Sequence, residues 1–179
     1  MTNEVEEIKN KVAESGLVSI DLKDFYTSGT RVVIDMKDHL FEGLILKEKD
    51  FRLFVKNEDW SKYKNNLVTI TSTADAIIPT WAYMLLSSEL QPYAKKVVCG
   101  TPETLETILF HETVTEKLNP EQYKDKRVMI KGCGDIEIPA SAFVEAVNLL
   151  KPYVKSIMYG EACSNVPIYK SSRDTAGLK

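Results

Sequence analysis

Apolar and polar positions alternate in blocks that predict a regular succession of strands and helices from residue 67 onward. The short apolar runs are LVTIT, KKVVC, RVMIKGC and SIMYG, and a longer segment with helical spacing separates each from the next. Strands rich in valine and isoleucine without strict alternation are typical of a parallel sheet covered on both faces. The sequence therefore predicts an α/β fold with a mostly parallel sheet and helices on both of its faces.

The first third of the chain has a less regular pattern, and it predicts an N-terminal antiparallel hairpin. The apolar runs RVVIDM and FEGLIL are joined by residues 37–40, which suits a hairpin connection. Before them, Val5, Ile8 and Val12 have helical spacing, so residues 1–16 predict an amphipathic helix.

The C-terminal segment predicts an edge strand followed by a tail. NVPIYK has an apolar pattern, but Pro167 cannot donate a hydrogen bond to a ladder, which favours the edge of a sheet. Residues 171–179 are polar and predict a flexible tail. We expect residues 1–179 to form a single domain, without a strong sequence repeat.

Composition narrows the class of protein. Hydrophobic residues make up 44% and charged residues 27% of the chain, a balance typical of globular domains. The formal net charge of −3 argues against a nucleic-acid partner, which usually selects a basic surface. The longest apolar run, IIPTWAYMLL, is too short to span a membrane. These features predict a cytoplasmic protein whose three cysteines are reduced thiols.

The predicted strand ends gather the chemically active side chains. In open parallel α/β sheets, ligands bind outside the carboxyl ends of the strands. The four predicted ends read TSTAD, CGT, GCGD and GEACS, and they contain all three cysteines. The opposite ends carry ordinary solvated lysines and asparagines. The sequence therefore predicts a site at the carboxyl ends.

Cys133 and Cys163 are the leading candidate ligands at that rim. Free cysteine is often simply a small buried residue, but Gly132 and Gly134 flank Cys133 and would let its thiol turn outward. Consecutive βα units usually lie side by side, so we expect Cys163 to follow a neighbouring strand. Two such thiols could share a metal ion, an iron–sulfur cluster or a redox cycle. No CxxC motif is present, so the signal is only moderately specific.

Oxygen-bearing side chains accompany the thiols. Asp75 is either a metal ligand or general base, or the N-cap of the following helix. Ser72 and Thr73, together with Gly134, are candidate cofactor-binding residues, although hydroxyl groups at strand ends also cap turns. Asp135 and Glu161 lie beside the two cysteines and could complete a metal sphere or remain solvated.

The remaining candidates are weaker. Cys99 ends its strand in alternation with Val98, which favours packing over chemistry. His39 falls in the predicted hairpin turn and His111 in the middle of a helix. Neither is near the predicted rim, which argues against a zinc hydrolase or a catalytic triad.

One protein family resembles this chain over nearly its whole length. The resemblance lies in LFEGLILKEKDFR, ADAIIPTWAYML, LQPYAKKVV, LETILF, KGCGD and VKSIMYGEACSNVPIYK. The family is found in Bacteroidetes and is catalogued as a domain of unknown function. Asp75, Cys133 and Cys163 match its pattern, whereas its members often carry a cysteine at the position of Ser72. The resemblance implies a small cytoplasmic protein, and the family's genes near those of iron–sulfur cluster assembly imply partners in that process.

These observations lead to three functional hypotheses. The first is a metal or cluster site with Cys133, Cys163 and Asp75 as ligands, because thiolates select zinc, iron or an iron–sulfur cluster over harder ions. The second is a non-catalytic interaction module that docks a partner or forms a homo-oligomer through the hairpin around Leu40, Phe41 and Leu44. The third, a thiol enzyme, requires a nearby base or cation, for which Lys131 is the closest candidate.

Overall fold

The structure is a computed structural model that describes residues 16–132, 134–161 and 164–172. Its strands are β1 (Leu17–Asp21), β2 (Arg31–Asp35), β3 (Leu67–Thr71), β4 (Lys96–Cys99), β5 (Arg127–Lys131), β6 (Ser156–Glu161) and β7 (Ser164–Lys170). Its helices are α1 (Glu48–Asn57), α2 (Thr80–Leu90), α3 (Pro102–Lys117) and α4 (Ala140–Leu150). No helix in these ranges is long and apolar enough to cross a membrane. The predicted N-terminal helix and residues 173–179 of the predicted tail lie outside the described residues.

The chain forms two compact units, each with its own sheet. The unit that we call the inserted unit comprises Thr27–Leu109, and its sheet has the parallel order β2-β3-β4. The flanking unit comprises Met1–Tyr26 and Phe110–Lys179, and its sheet has the order β1-β5-β6-β7, with β7 alone antiparallel. The predicted α/β class and mostly parallel pairing are therefore confirmed, whereas the expectation of one sheet is wrong.

The predicted N-terminal antiparallel hairpin is also wrong. β2 pairs in parallel with β3, and the residues after β2 form a 3₁₀ turn over Met36–His39. The apolar run that was expected to be the second strand instead folds back on itself, because Glu42 and Gly43 both adopt left-handed backbone angles, with φ of 51° and 69°. Its only ladder contact is a bridge in which the Phe41 N–H donates to the Ile45 carbonyl at 2.8 Å. The antiparallel pairing that the described residues do contain is at the C-terminus, between β6 and β7.

The two units repeat one another in sequence and in backbone detail. Residues 60 positions apart correspond without a gap from the turn before β3 to the end of β4, for example Tyr63 with Tyr123 and Pro79 with Pro139. β1 and β2 correspond at a displacement of 14 positions, as in VSIDLKD and VVIDMKD. The expectation of a chain without a strong repeat is therefore wrong.

Main-chain geometry shows that this repeat is structural. Asn65 and Asp125 adopt left-handed φ values of 62° and 60°, and their N–H groups donate to the carbonyls of Tyr93 and Tyr153 at 3.0 and 2.9 Å. The two aspartates that end β1 and β2 each accept a hydrogen bond from the backbone N–H two residues further on. Residues at equivalent positions of the two units can therefore be compared directly.

Helices cover both faces of the sheet in the inserted unit. Successive side chains of β3 point to opposite faces, so Val68 and Ile70 pack with α1 and α2, while Leu67 packs with Leu105 of α3. Phe51 and Val55 of α1 are buried in the first cluster, one helical turn apart on the same face. Burial of this kind stabilises each large side chain by roughly 1.5–3 kcal/mol.

The flanking unit builds its core in the same way on β5. Val128 and Ile130 pack with the C-terminal half of α3, through Phe110, and with α4, through Ala146. β7 lies at the end of the sheet order and contains Pro167, so the prediction of an edge strand is confirmed.

The buried hydroxyl of Thr69 yields a test of these cores. Thr69 is 1% exposed on β3, and among the described residues its Oγ1 has no hydrogen-bond partner. A buried polar group without a partner costs about 1–3 kcal/mol, so Thr69→Val should raise the free energy of unfolding in urea by about 1 kcal/mol. Thr113→Val is the matched control and should lower it by about 1 kcal/mol, because the Thr113 hydroxyl donates to the Phe25 carbonyl at 2.6 Å. A loss of stability in Thr69→Val would show that the hydroxyl is satisfied, for example by water.

Candidate functional site

The carboxyl ends of β1, β5 and β6 meet at one edge of the flanking unit's sheet. The three strands are parallel neighbours, with Asp21 opposite Lys131 and Ile130 opposite Tyr159. We call the described residues at this edge the thiol rim: Asp21, Lys23, Lys131, Gly132, Gly134 and Glu161. Cys133 and Cys163 lie outside the described residues, but each follows a described rim residue by two positions. The prediction that their strands are neighbours is confirmed.

An ion pair joins the ends of β5 and β6. Lys131 Nζ and Glu161 Oε2 are 2.6 Å apart, and both side chains are partly solvated. Lys131 precedes Cys133 by two residues, and Glu161 precedes Cys163 by two residues. Side chains from the two strand ends therefore reach each other at this rim.

Gly132 is required because an aromatic side chain lies against its backbone. A Cβ on Gly132 would be 2.5 Å from Phe143 Cζ and 3.1 Å from Ile138 Cδ1, distances that real Cβ atoms do not tolerate without movement. Phe143 belongs to α4, and its ring makes an edge contact with Tyr159 at 5.6 Å between centroids. Gly132 thus lets helix α4 approach the end of β5 closely.

Gly134 leaves space for a lysine side chain beside its backbone. A Cβ on Gly134 would lie 2.5 Å from Lys23 Cε and closer still to the ammonium group. Gly134 also has φ of 149°, which side chains rarely permit. The equivalent residue in the inserted unit is Ala74, which carries a Cβ. The flanking unit therefore brings a cation to the residue that follows Cys133.

The 3₁₀ turn after β1 holds that lysine in place. The Lys23 N–H donates to Asp21 Oδ1 at 3.0 Å, and Leu22 and Phe25 on either side of it are buried. The backbone of Lys23 is thus fixed at the end of β1, from which its side chain reaches Gly134. Sequence reasoning missed Lys23, and the signal that could have found it is the change from Ala74 to Gly134 within the repeat.

At the equivalent rim of the inserted unit, hydrogen bonds connect the end of β2 to the residues that follow β3. Asp35 ends β2, and its carboxylate accepts from the Thr73 hydroxyl at 2.6 Å and from the Thr73 N–H at 3.1 Å. Burial raises the pKa of Asp35, but these bonds and one from the Lys37 N–H outweigh it and hold the pKa below its usual value. Thr73 occupies the position of Cys133 in the repeat, so a threonine stands here where the flanking unit has a thiol.

The other predicted site residues of the inserted unit have local roles or lie exposed. Ser72 Oγ accepts a hydrogen bond from the Ala74 N–H at 3.3 Å, a turn contact. Asp75 is exposed, and it is not the N-cap that was considered for it, because α2 begins at Thr80 with Pro79 as the cap residue. Its equivalent in the flanking unit is Asp135, two residues after Cys133.

The predicted site residues are therefore divided between two sheets. Ser72, Thr73 and Asp75 follow β3 in the inserted unit, whereas Gly134 follows β5 in the flanking unit. The expectation that all of them lie on the rim of one sheet is wrong, because the two strands do not belong to one sheet. Within the described ranges, no three His, Cys, Asp or Glu side chains gather in a group that could hold a metal ion. Cys133 and Cys163 lie outside those ranges, so their predicted roles stay predictions.

Cys99 and both histidines lie among the described residues. Cys99 was expected to pack, but it is an exposed thiol, so that prediction is wrong. His39 stacks on Phe54 at 3.9 Å between ring centroids, and its burial lowers its pKa. His111 is mostly exposed and lies 3.7 Å from Glu145.

A groove beside the thiol rim separates α4 from the outer strands. It has a volume of about 620 Å³, and its lining includes Ile138, Phe143, Val147, Tyr159 and Ile168. The equivalent groove of the inserted unit, along α2, has a volume of about 590 Å³ and is lined partly by Thr80, Ser87, Ser88 and Gln91. Both units therefore carry a groove along the helix that follows their central strand.

The contact between Gly132 and Phe143 yields a test of the rim. Gly132→Ala should lower the free energy of unfolding by about 1–3 kcal/mol, because the added methyl group overlaps the Phe143 ring. Phe143→Leu should restore part of that loss, so a double-mutant cycle measured in urea should give a coupling of about 1 kcal/mol or more. Strict additivity of the two substitutions would contradict the contact.

Comparison with known proteins gives a family for the chain. A family model described as "Protein of unknown function (DUF2480)" matches residues 6–171, a span that includes the inserted unit, most of the flanking unit and all of the predicted site residues. Neither the curated proteins nor the solved structures contain a significant match. The sequence resemblance to a family of unknown function is confirmed, and the chain belongs to the DUF2480 family.

Proposed function

We propose that this protein binds a thiophilic metal ion or an iron–sulfur cluster through Cys133 and Cys163. The observation that carries the proposal is the ion pair between Lys131 and Glu161, at 2.6 Å. Each partner stands two residues before one of the cysteines, on neighbouring parallel strands. Two thiolates held at neighbouring strand ends suit zinc, iron or a cluster.

One cation at the thiol rim favours thiolates as ligands. Lys23 brings its ammonium group beside Gly134, the residue that follows Cys133, whereas the ammonium group of Lys131 is paired with Glu161. Positive charge near a cysteine stabilises the thiolate, which is the form that binds metal. A binding site of this kind is consistent with our proposal that the protein serves iron–sulfur or sulfur metabolism in the cytoplasm, with assembly proteins as partners.

An oxygen ligand completes the proposed set. Asp135 is our proposed carboxylate, because it follows β5 at the position at which Asp75 follows β3 in the other unit. Gly134 remains a proposed cofactor contact. The two carboxylates are a matched pair for mutagenesis.

Elemental analysis tests the proposal. Protein purified anaerobically without a metal-binding tag should contain about one zinc or iron ion per chain, or the two to four irons of a cluster with its sulfide. Cys133→Ser and Cys163→Ser should each remove most of the metal, whereas Cys99→Ser, at the exposed thiol of the other unit, should leave it in place. Loss of metal in Asp135→Asn but not in the matched control Asp75→Asn would support Asp135 as the carboxylate ligand, and the reverse result would contradict it. A wild-type protein with almost no metal would refute the site.

A second candidate function is a non-catalytic interaction module. The turn around Phe41 exposes three large apolar side chains, with Phe41 45%, Leu44 62% and Ile45 62% exposed. Large exposed apolar groups often mark docking sites. Unchanged function in a host strain that carries Cys133→Ser and Cys163→Ser together would favour this module, and lost function would favour the metal site.

A further inference from the structure

The outer edge of β4 lacks a neighbour that its counterpart possesses. β4 and β6 are equivalent in the repeat, and β6 pairs with β5 on one side and with β7 on the other. Among the described strands, β4 pairs with β3 alone. The flanking unit therefore shows what covers this edge of the repeated fold, namely an antiparallel strand.

The backbone of β4 presents hydrogen-bonding groups to that edge. The Gly100 N–H donates to the Ile70 carbonyl at 3.0 Å, so Gly100 and Val98 face β3. Val97 and Cys99 alternate with them and turn their N–H and C=O groups outward. Their equivalents in the flanking unit, Ile157 and Tyr159, are residues of β6 that are paired with β7.

A groove flanks the edge and is open to solvent. Its lining includes Tyr83, Met84 and Cys99, and its volume is about 590 Å³. Met84 is 68% exposed. In the flanking unit, Ile168 of β7 lines the equivalent groove, so a strand added at this edge can also contribute a side chain to the groove.

The charges around β4 favour an antiparallel partner of the same sequence. Lys96 begins the strand, and Glu103 lies just beyond its end, in the first turn of α3. Antiparallel pairing of two copies brings the basic start of one strand beside the acidic end of the other. Parallel pairing would bring like charges together.

We propose that the outer edge of β4 pairs with β4 of a second copy of this chain about a twofold axis. Val98 then lies opposite Val98 of the second copy, and Val97 opposite Cys99 of the second copy. This register uses all four outward backbone groups of each strand, and a twofold axis makes the pairing antiparallel. The two three-stranded sheets become one sheet of six strands. The other edge strand that borders a groove, β7, is less suited to such pairing because Pro167 has no backbone N–H to donate.

Light scattering coupled to size exclusion tests the pairing on the full chain in reducing buffer. As the protein concentration increases, the molar mass of the wild-type protein should rise from that of one chain toward that of two. Cys99→Lys and Met84→Lys should each raise the dissociation constant by about tenfold or more, because they bury a charge at the edge and in the groove. Leu53→Lys is the matched control: it adds the same charge at a residue that is 59% exposed on α1, and it should leave the dissociation constant within about twofold. Circular dichroism shows whether each variant keeps its fold.

Disulfide trapping tests the register independently of those variants. The paired Cα atoms of Val97 and Cys99 of the second copy should be about 5.5 Å apart, which a disulfide spans. Mild oxidation of Val97→Cys should therefore link position 97 to Cys99 of the second copy, as read by peptide mapping, while Leu53→Cys should form no such link. Three results would each overturn the proposal. The chain could stay monomeric at roughly 100 µM, both lysine variants could leave the dimer intact, or the disulfide between position 97 and Cys99 of the second copy could fail to form. None of these results depends on metal binding at Cys133 and Cys163.

Discussion

The fold depends on two central strands, β3 and β5, that are hydrogen-bonded along both edges and buried on both faces. Val68 and Val128 are fully buried at equivalent points of these strands. With no water available to their backbone groups, both ladders must be complete, and this fixes which strands lie on either side. The helices then cover the two faces, and the polar strand ends collect at one edge of each sheet. The location of the candidate site is a consequence of this pairing.

Much of the architecture is readable from the sequence, because its signals are local. The Val- and Ile-rich runs from residue 67 onward, the helical apolar stripes between them and Pro167 each report on their own segment, and each predicted the correct element. The earlier run FEGLIL did not, because it folds back on itself as a turn. The number of sheets is not a local property. β1 and β2 have nearly the same pattern, VSIDLKD and VVIDMKD, but β1 pairs with β5 and β2 with β3. Nothing in the spacing of apolar residues tells which partner each strand will take.

The candidate site shows the same limit. Sequence reasoning located the rim and the neighbouring strands of Cys133 and Cys163, because both follow from the βα order. It could not explain the two glycines around Cys133, since the groups that lie against them come from distant segments: Phe143 from α4 and Lys23 from the turn after β1. It placed Asp75 with the cysteines because it assumed one sheet. It expected Cys99 to pack because alternation along a strand does not reveal that the strand is an edge.

The nested order of the two units has a consequence for how the chain is made. The inserted unit is a contiguous segment, Thr27–Leu109, so it can complete its sheet as soon as it has left the ribosome. β1 emerges earlier, but Leu17 must wait for Arg127, 110 residues later, before it gains its partner. Closing so long a loop has an entropic cost, and the finished inserted unit shortens the flexible length that remains to be closed. The inserted unit can thus fold first and reduce the entropic cost of the later pairing between β1 and β5.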